Sequence, residues 1–275
     1  MGERDRSKFA GGDQAYLRTD QYATSAKLRI RADIHKNFST SDISWFNWLV
    51  PRMAIPAAAE ILEIGCGPGW LWDEWSGVLP PSVGIVLTDL SDGMVSEAAT
   101  RVAATGKFET VVAQQADAQK LPFETDRFDR VVSTHMLYHL PDPEAGVREI
   151  ARVLAEDGWG IVATNGTRHM RQMWEIRGDV FDIETIDNTL DVFGADIAFP
   201  MLRRHFTHVE WQRFDDDLDI DDAEAILAYI CSAPPGEDAT DAQLVELRRE
   251  ISARFVDGSM TVDKDVGVFI CRGPR

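Results

Sequence analysis

Cysteine is scarce in this sequence, and its cysteines lie far apart. The chain of 275 residues has three of them, Cys66, Cys231 and Cys271. An odd number of widely separated cysteines fits neither a disulfide framework nor the closely spaced ligand pairs of a structural zinc site. We therefore expect reduced thiols and no bound metal.

Long apolar runs are also missing. No uninterrupted apolar stretch approaches the ~20 residues that a membrane helix needs. The first residues, Met1 to Asp13, are charged and contain glycine, without the apolar core of a secretory signal. These two absences predict no membrane partner and a cytoplasmic location, whereas the oligomeric state stays unknown.

Positive charge is in short supply as well. The chain has 28 Lys and Arg against 46 Asp and Glu, which gives a formal net charge of −18. Because the average field repels polyanions, DNA and RNA are poor candidate partners. The densest acidic run, residues 215–222, lacks the glycine and the ligand spacing of an EF-hand. We expect it to be a solvated loop.

The sequence does contain a glycine-rich turn after an apolar run. Residues 61–64 suit a buried parallel strand, although Glu63 interrupts them, and Gly65, Gly67 and Gly69 follow at alternate positions. Glycines let the backbone of such a turn approach a ligand without obstruction by Cβ atoms. The pattern predicts a ligand site at the end of this strand.

A second apolar run, residues 83–88, ends in Asp89. In nucleotide sites an acidic residue about twenty residues after the glycines binds the ribose hydroxyls. Two neighbouring strands would bring Asp89 next to the glycine turn. Together they predict a nucleotide-cofactor site.

The order of the glycines distinguishes two kinds of cofactor. Dinucleotide dehydrogenases carry G-x-G-x-x-G, whereas here Glu63 precedes a G-x-G-x-G run. This form resembles motif I of the class I S-adenosylmethionine-dependent methyltransferases. Residues 115–123, 128–133 and 141–160 resemble that family's adenine loop, fourth strand, and helix with fifth-strand entry. The resemblance covers roughly residues 58–166, in the family's order.

The resemblance implies an α/β fold: a Rossmann-like, seven-stranded, mostly parallel sheet with helices on both faces, plus a helical cap. It also implies S-adenosyl-L-methionine as cofactor. The residues that it places on the cofactor are Tyr22, Arg29, Glu63, Gly65, Cys66, Gly67, Gly69, Asp89, Leu90, Met94, Asp117, Ala118 and Thr134. Tyr22 and Arg29 are candidates for the methionine carboxylate. Cys66 is better explained as a small packed residue than as a nucleophile, because methyl transfer needs no thiolate.

The alternation of apolar runs and helical segments from residue 61 onward is typical of βαβ units. We divide the chain into an N-terminal helical lid, residues 1–57, and a methyltransferase core, residues 58–275, with a cap insertion at 167–204. The aromatic residues of the lid need burial, so the lid packs on the core, closes over the site, or does both.

Capping residues and apolar spacing predict the other elements. They are a helix capped by Asp92, a helix from Asp142 to Gly158, a strand over 206–214, a helix over 222–230, a helix from Thr240 to Gly258 and a closing antiparallel strand over 266–271.

Methyl transfer is an in-line displacement, in which positioning lowers much of the barrier. The segment 134–140 leaves the carboxyl end of the fourth strand, where open parallel sheets bind ligands. Its candidates for proton transfer are His139, Tyr138 and His135. Small-molecule members of the family often carry His-His where this chain has Tyr138 and His139, so the base stays open. His139 can also simply brace the loop, and His169 is a weaker candidate.

The acceptor is predicted to be a small molecule. The sequence lacks Asn/Asp-Pro-Pro-Tyr/Phe and Pro-Cys after the fourth strand, which nucleic-acid methyltransferases use, and the metal-ligand pattern of catechol methyltransferases. Tyr16, Trp45, Met173 and Trp174 are candidates to line an apolar substrate pocket, or else pack in the core. The N-terminal element resembles a bacterial secondary-metabolite branch that includes indole C-methyltransferases. An NAD-dependent oxidoreductase and a noncatalytic cofactor-binding regulator remain as alternatives.

Overall fold

The strands form two sheets in the computed structural model, which describes residues 13–185 and 187–275. Residues 1–12 and Ile186 lie outside the described residues. The first range contains the start of the predicted lid and most of the residues used above to exclude a secretory signal. The strands are β1 Glu60–Ile64, β2 Gly84–Asp89, β3 Thr110–Gln115, β4 Phe128–Thr134, β5 Leu154–Asn165, β6 Phe206–Phe214, β7 Asp217–Ile220, β8 Met260–Asp263 and β9 Val266–Pro274.

Helices flank the larger sheet and also form the N-terminal segment, which we define as residues 13–57. The α-helices are α1 Gln14–Tyr16, α2 Ala26–Asn37, α3 Trp45–Leu49, α4 Trp70–Glu74, α5 Asp92–Ala104, α6 Pro143–Val153, α7 Arg171–Phe181, α8 Asn188–Phe193, α9 Ala195–His205, α10 Ala223–Cys231 and α11 Asp241–Ala253. A π-helical turn covers Leu17–Gln21, and 3₁₀ turns cover Val50–Met53, Leu137–His139 and Gly236–Asp238. No helix in the described part of the chain is long and apolar enough to cross a membrane.

The larger sheet has seven strands in the order β3-β2-β1-β4-β5-β9-β6. Its first five strands are parallel, and β9 runs antiparallel to both of its neighbours. This arrangement confirms the predicted α/β class, including the closing antiparallel strand. Because β1 lies between β2 and β4, the carboxyl ends of all three strands meet at one edge of the sheet.

The sequence of β1 explains its central position. Ile61 packs in one hydrophobic core, whereas Leu62 and Ile64 pack in a second one on the opposite face of the sheet. Side chains of a strand alternate between faces, so an almost continuous apolar run suits a strand that is covered on both sides.

Three predicted helix boundaries are wrong. The N-cap of α5 is Ser91, whose hydroxyl accepts from the backbone N–H of Met94, and Asp92 is the first helical residue. Helix α6 ends at Val153, because residues 154–165 continue directly into β5, so Gly158 lies within the strand. Helix α11 ends at Ala253, and Gly258 belongs to the turn before β8.

The acidic run is not the solvated loop that we predicted. Residues 217–220 form β7, in which Leu218 and Ile220 are buried and the aspartates between them face outward. Strand β7 pairs with β8, and both pack with helices α2, α7, α10 and α11 around a third hydrophobic core. Alternation of Asp with apolar residues, the usual pattern of a half-buried strand, was the signal for this element.

Asp216, at the start of this run, is buried in a network of hydrogen bonds. Its carboxylate pairs with the buried ammonium of Lys264. It also accepts from the Ser39 hydroxyl at 2.7 Å and from the backbone N–H groups of Thr40 and Ser41, each at 3.0 Å. The network therefore joins residues 39–41, which follow α2, to the β7–β8 sheet.

Replacement of Asp216 by alanine should lower the free energy of unfolding by about 3–5 kcal/mol, because Lys264 would stay buried without a partner. Urea denaturation at pH 7 measures this difference. Asp215→Ala, at an exposed neighbouring position, is the matched control and should change stability by less than about 0.5 kcal/mol. Equal stabilities of the two variants would contradict the assigned role.

Candidate functional site

The turn after β1 depends on three glycines in the left-handed region, with φ of 65° at Gly65, 53° at Gly67 and 80° at Gly69. A Cβ atom at Gly65 would lie 2.6 Å from Met136, and one at Gly69 would lie 2.8 Å from Val102. At Gly67 the nearest atom would be 3.8 Å away. Gly65 and Gly69 therefore allow close packing, whereas Gly67 borders open space in which a ligand fits.

Asp89, the last residue of β2, holds this turn in place. Its carboxylate accepts from the backbone N–H of Gly67 at 3.0 Å and from that of Ser91 at 2.9 Å. The N–H of Cys66 also donates to the Thr88 carbonyl, at 2.9 Å. Burial raises the pKa of Asp89, and the backbone donors oppose that effect. The geometry matches the prediction that Asp89 lies beside the glycine turn.

Glu63 is buried on the central strand and accepts a hydrogen bond from the indole N–H of Trp72 at 2.7 Å. Burial raises the pKa of Glu63 to about 8, although the Trp72 hydrogen bond opposes the shift. At neutral pH the carboxyl group is therefore mostly protonated and can donate one hydrogen bond as well as accept others.

The turn opens on a cavity of about 1580 Å³, large enough for a nucleoside cofactor and a second small molecule. Most of the predicted site residues line it. These are Tyr22, Arg29, Trp45, Glu63, Gly65, Cys66, Gly67, Asp89, Leu90, Met94, Asp117, Ala118, Thr134, His135, Tyr138, His139 and Trp174. The cavity thus brings together residues from the N-terminal segment and from the ends of β1, β2 and β4.

Three predicted site residues are placed elsewhere. Gly69 faces Val102 and Ala98 of α5, so it serves helix packing. Met173 is fully buried in the third hydrophobic core, and the Tyr16 hydroxyl is engaged with the Glu237 carboxylate. None of these three lines the cavity.

Cys66 has the environment of a packed side chain. It belongs to the first hydrophobic core, and burial raises the pKa of its thiol well above the usual range. Its sulfur also lies 3.4 Å from the Gly67 carbonyl oxygen. A thiol held in its neutral form is a poor nucleophile, in agreement with the interpretation made from the sequence.

The segment after β4 brings the candidate bases to the cavity. The Nε2 atom of His139 lies 3.0 Å from the Tyr22 hydroxyl, and the rings of Tyr138 and His139 meet edge to face. The sequence did not predict this link between Tyr22 and His139. Burial lowers the pKa of His135 to about 4, so this imidazole is neutral at pH 7 and a weak base.

Arg29 borders the same cavity from α2. Its guanidinium group lies 4.2 Å from the centre of the Trp70 ring and 3.9 Å from a Glu74 carboxylate oxygen. A planar cation over an aromatic ring is a stable arrangement that keeps its N–H donors available. Arg29 could therefore bind a carboxylate at the glycine-turn end of the cavity.

The N-terminal segment is held over the cavity by hydrogen bonds that meet at Glu237. Its carboxylate accepts from the Tyr16 hydroxyl at 2.5 Å, from the Gln21 amide at 3.0 Å and from the Lys27 ammonium at 2.9 Å. The Ser91 hydroxyl donates to the Tyr22 carbonyl at 2.7 Å. The segment is thus attached both to the cofactor end of the sheet and to the turn after α10.

Other polar residues of the cavity were missed or ranked low in the sequence. His35, Asn165, His169, Tyr229 and Lys264 line the part that adjoins the ends of β4 and β5. Only Asn165 and His169 have a signal in the sequence, because they lie at and shortly after the carboxyl end of a parallel strand. In residues 13–185 and 187–275, no group of three or more His, Cys, Asp or Glu is placed to hold a metal ion.

Comparison with known proteins agrees with this architecture. Residues 62–162 match the family described as a methyltransferase domain. The ubiquinone/menaquinone biosynthesis C-methyltransferase UbiE of Hahella chejuensis is 29% identical over 164 residues, 58% of this chain and 65% of that protein. The methyltransferase GfsG of Streptomyces halstedii is 31% identical over 114 residues, 40% of this chain and 39% of that protein. The chain therefore spans less than two thirds of the length of these relatives.

A solved structure extends the comparison to nearly the whole chain. Phosphoethanolamine N-methyltransferase 2 of Haemonchus contortus, in complex with S-adenosyl-L-methionine, superposes with a TM-score of 0.56 at 18% sequence identity. The match covers 94% of this chain and 59% of that one. At this identity the likeness shows the fold. Residues 62–162 thus resemble a methyltransferase domain, and the chain shares the α/β fold of that solved enzyme.

Replacement of Glu63 by glutamine should stabilise the protein more at pH 8 than at pH 5. The raised pKa of Glu63 means that the native state keeps the proton while the unfolded state releases it, so stability falls as pH rises from about 4.5 toward 8. Glutamine carries no such cost and still accepts from Trp72. Thermal melting at both pH values tests this, and a pH-independent difference in Tm would contradict it.

Replacement of Glu237 by alanine should loosen the N-terminal segment, because three donors lose their shared acceptor. We expect limited trypsin digestion to cleave after Arg18 and Lys27 faster than in the wild type. Asp238→Ala, at the exposed neighbouring position, should leave the cleavage rate unchanged. If both variants are cut at the wild-type rate, Glu237 does not hold the segment.

Proposed function

We propose that the protein transfers a methyl group from S-adenosyl-L-methionine to a small aromatic metabolite, such as one that contains an indole ring. The observation that carries this proposal is the open space beside Gly67, next to Asp89, within a chain segment that matches methyltransferase domains. The names of UbiE and GfsG describe the activities of those two proteins. They support methyl transfer here, and the part of UbiE in ubiquinone and menaquinone biosynthesis is compatible with a small-molecule acceptor.

The residues at the glycine-turn end fit the cofactor. The Asp89 carboxylate can accept from two ribose hydroxyls in addition to its backbone donors, and Gly67 lets the chain approach the ligand closely. Asp117 and Ala118 border the place where the resemblance puts the adenine, and Arg29 is available for the methionine carboxylate. S-adenosylmethionine, when bound there, supplies an electrophilic methyl group on a sulfonium.

The protein's remaining task is to hold the acceptor in line with that methyl group and to remove a proton where the acceptor releases one. The cavity wall after β4 offers His139, whose Nε2 atom shares a hydrogen bond with Tyr22. This pair can accept a proton and stabilise the resulting charge. His135 is a weaker candidate, because burial lowers its pKa to about 4. The N-terminal segment would exclude water while transfer takes place.

The acceptor pocket combines an aromatic wall with a few polar groups. The Trp45 ring stacks on Trp48 at a centroid distance of 5.3 Å, and Trp174 also faces the cavity. Flat, rigid walls of this kind favour a planar apolar ligand. Together with the net charge of −18, they favour a metabolite over a nucleic acid as the acceptor.

Replacement of Asp89 by alanine should weaken binding of S-adenosylmethionine by about 1–3 kcal/mol, because the ribose hydroxyls lose a charged acceptor. Isothermal titration calorimetry measures the change, with NAD titrated alongside to test the oxidoreductase alternative. Asp92→Ala, three residues later and exposed, is the control and should bind like the wild type. Wild-type affinity in Asp89→Ala would mean that the cofactor binds elsewhere.

The acceptor can be found by mass spectrometry, as a gain of one methyl group across indoles, phenols, amines and nucleic acids. We expect products among the aromatic small molecules. His139→Ala should lower turnover about 10²–10⁴-fold if His139 transfers the proton, whereas Tyr138→Phe should have a smaller effect. Both variants should retain cofactor binding. Methylation of RNA or DNA alone would overturn the proposed acceptor class, and cofactor binding without turnover would favour a regulatory protein.

A further inference from the structure

Two histidines, of which His169 is buried and His35 half-buried, form a separate group in the cavity, apart from the Tyr22–His139 link. His35, on α2, and His169, after β5, stack with ring centroids 5.7 Å apart and planes 20° from parallel. The Tyr229 ring meets His35 edge to face at 6.4 Å. We call His35 and His169 the imidazole pair. Both line the cavity beside the ends of β4 and β5, on the side of β1 away from Asp89.

Neither member of the imidazole pair has a hydrogen-bond partner for its ring within residues 13–185 and 187–275. The Nδ1 atom of each ring is enclosed by protein and unpaired. The Nε2 atoms are not among the enclosed atoms, so they are the ring nitrogens that can reach the cavity. Buried polar side chains are normally satisfied, so two unpaired rings at one cavity wall call for an explanation.

Burial keeps both rings neutral. It lowers the pKa of His35 to about 3 and the pKa of His169 well below the usual range, and the nearby Lys264 ammonium adds to both effects. A neutral imidazole carries one N–H and one lone pair. An enclosed N–H without an acceptor is rarer in proteins than an unused acceptor. The proton is therefore better placed on Nε2, where it faces the cavity.

The surroundings of the pair favour an oxygen as its ligand. Lys264, which is paired with Asp216, is the nearby cation that affects both rings. Because the Asp216 carboxylate neutralises this cation, the two N–H donors themselves are what suit an atom with lone pairs and partial negative charge. Within residues 13–185 and 187–275 the pair has no third His, Cys, Asp or Glu placed to complete a metal site.

We propose that the imidazole pair is a recognition subsite for a hydrogen-bond-accepting oxygen of the methyl acceptor, such as a ring carbonyl or an oxyanion. This inference rests on the proposed function and narrows its acceptor to oxygenated ring systems. The Nε2–H groups of His35 and His169 orient that oxygen away from the cofactor. The opposite edge of the ring then faces the glycine-turn end, where the methyl group would be delivered. Both histidines are thus specificity residues, and neither receives the proton of the reaction.

A matched pair of probes tests the subsite. 1-Indanone and indane have the same flat bicyclic frame, and only the first has a carbonyl oxygen. With S-adenosylhomocysteine present, we expect 1-indanone to bind the wild type about 3- to 10-fold more tightly, since net hydrogen bonds contribute on the order of 0.5–1.5 kcal/mol. Ligand-observed NMR titrations measure the ratio. Equal affinities, or no binding of either probe, would overturn the proposal.

Variants assign the preference to the pair. His35→Phe and His169→Phe should each lower the indanone-to-indane ratio, and their double variant should bring it to about one. His169→Gln retains an N–H donor and should retain most of the preference. His208→Phe, at an exposed position on β6, is the control and should keep the wild-type ratio. An unchanged ratio in the double Phe variant would contradict the assignment.

A measurement on the wild type covers the case in which the Phe variants do not fold. In protein with ¹⁵N-labelled histidine, the signals of His35 and His169 should show the Nε2–H tautomer and should shift when 1-indanone is added. Nδ1–H tautomers, or shifts confined to other histidines, would refute the subsite. Calorimetry with S-adenosylmethionine on the same sample distinguishes failure of the proposed function from failure of the subsite. If the cofactor does not bind, the proposed function is contradicted. The response of the histidine signals to 1-indanone tests the subsite independently.

Discussion

The hydrogen bonds of Asp89 are the interaction on which the site depends. One carboxylate oxygen holds the N–H of Gly67, and the other holds the N–H of Ser91, which caps α5. A single side chain at the end of β2 thus fixes both the turn after β1 and the start of the next helix. Because the strands are parallel and adjacent, the two loops must leave the sheet at the same edge. The other residues that line the cavity surround this edge of the sheet.

The N-terminal segment, which covers this edge of the sheet, is attached to the rest of the protein by buried or partly buried charged groups. Asp216 holds residues 39–41 from one side, while Glu237 holds Tyr16, Gln21 and Lys27 from the other. Such groups are costly to leave unpaired in a low-dielectric interior. They therefore favour one closed arrangement of the N-terminal segment. The same segment also carries His35 of the imidazole pair to the cavity.

The sheet and the cofactor turn were predictable because their signals are local. Apolar runs reveal buried strands, and the order of Glu63 and the glycines distinguishes one cofactor class from another. Errors arose where local signals compete. The aspartates of residues 215–222 suggested a loop, although Leu218 and Ile220 alternate with them and face a core. Met173 was a candidate either for the pocket or for core packing, and the neighbouring helices bury it in the core. Gly258 was taken as a helix end, but the helix stops earlier at Ala253.

The sequence by itself determined the first two parallel strands, the glycine turn and the position of Asp89 beside it, because these depend on residues within one βαβ unit. The tertiary structure alone decided which distant side chains meet. Tyr22 and His139 are 117 positions apart and share a hydrogen bond, and His35 stacks on His169 at one wall of the cavity. Contacts of this kind depend on how the N-terminal segment and the insertion after β5 pack together. No local pattern encodes that packing, since it follows from the shape and burial of surfaces that form only when the whole chain has folded.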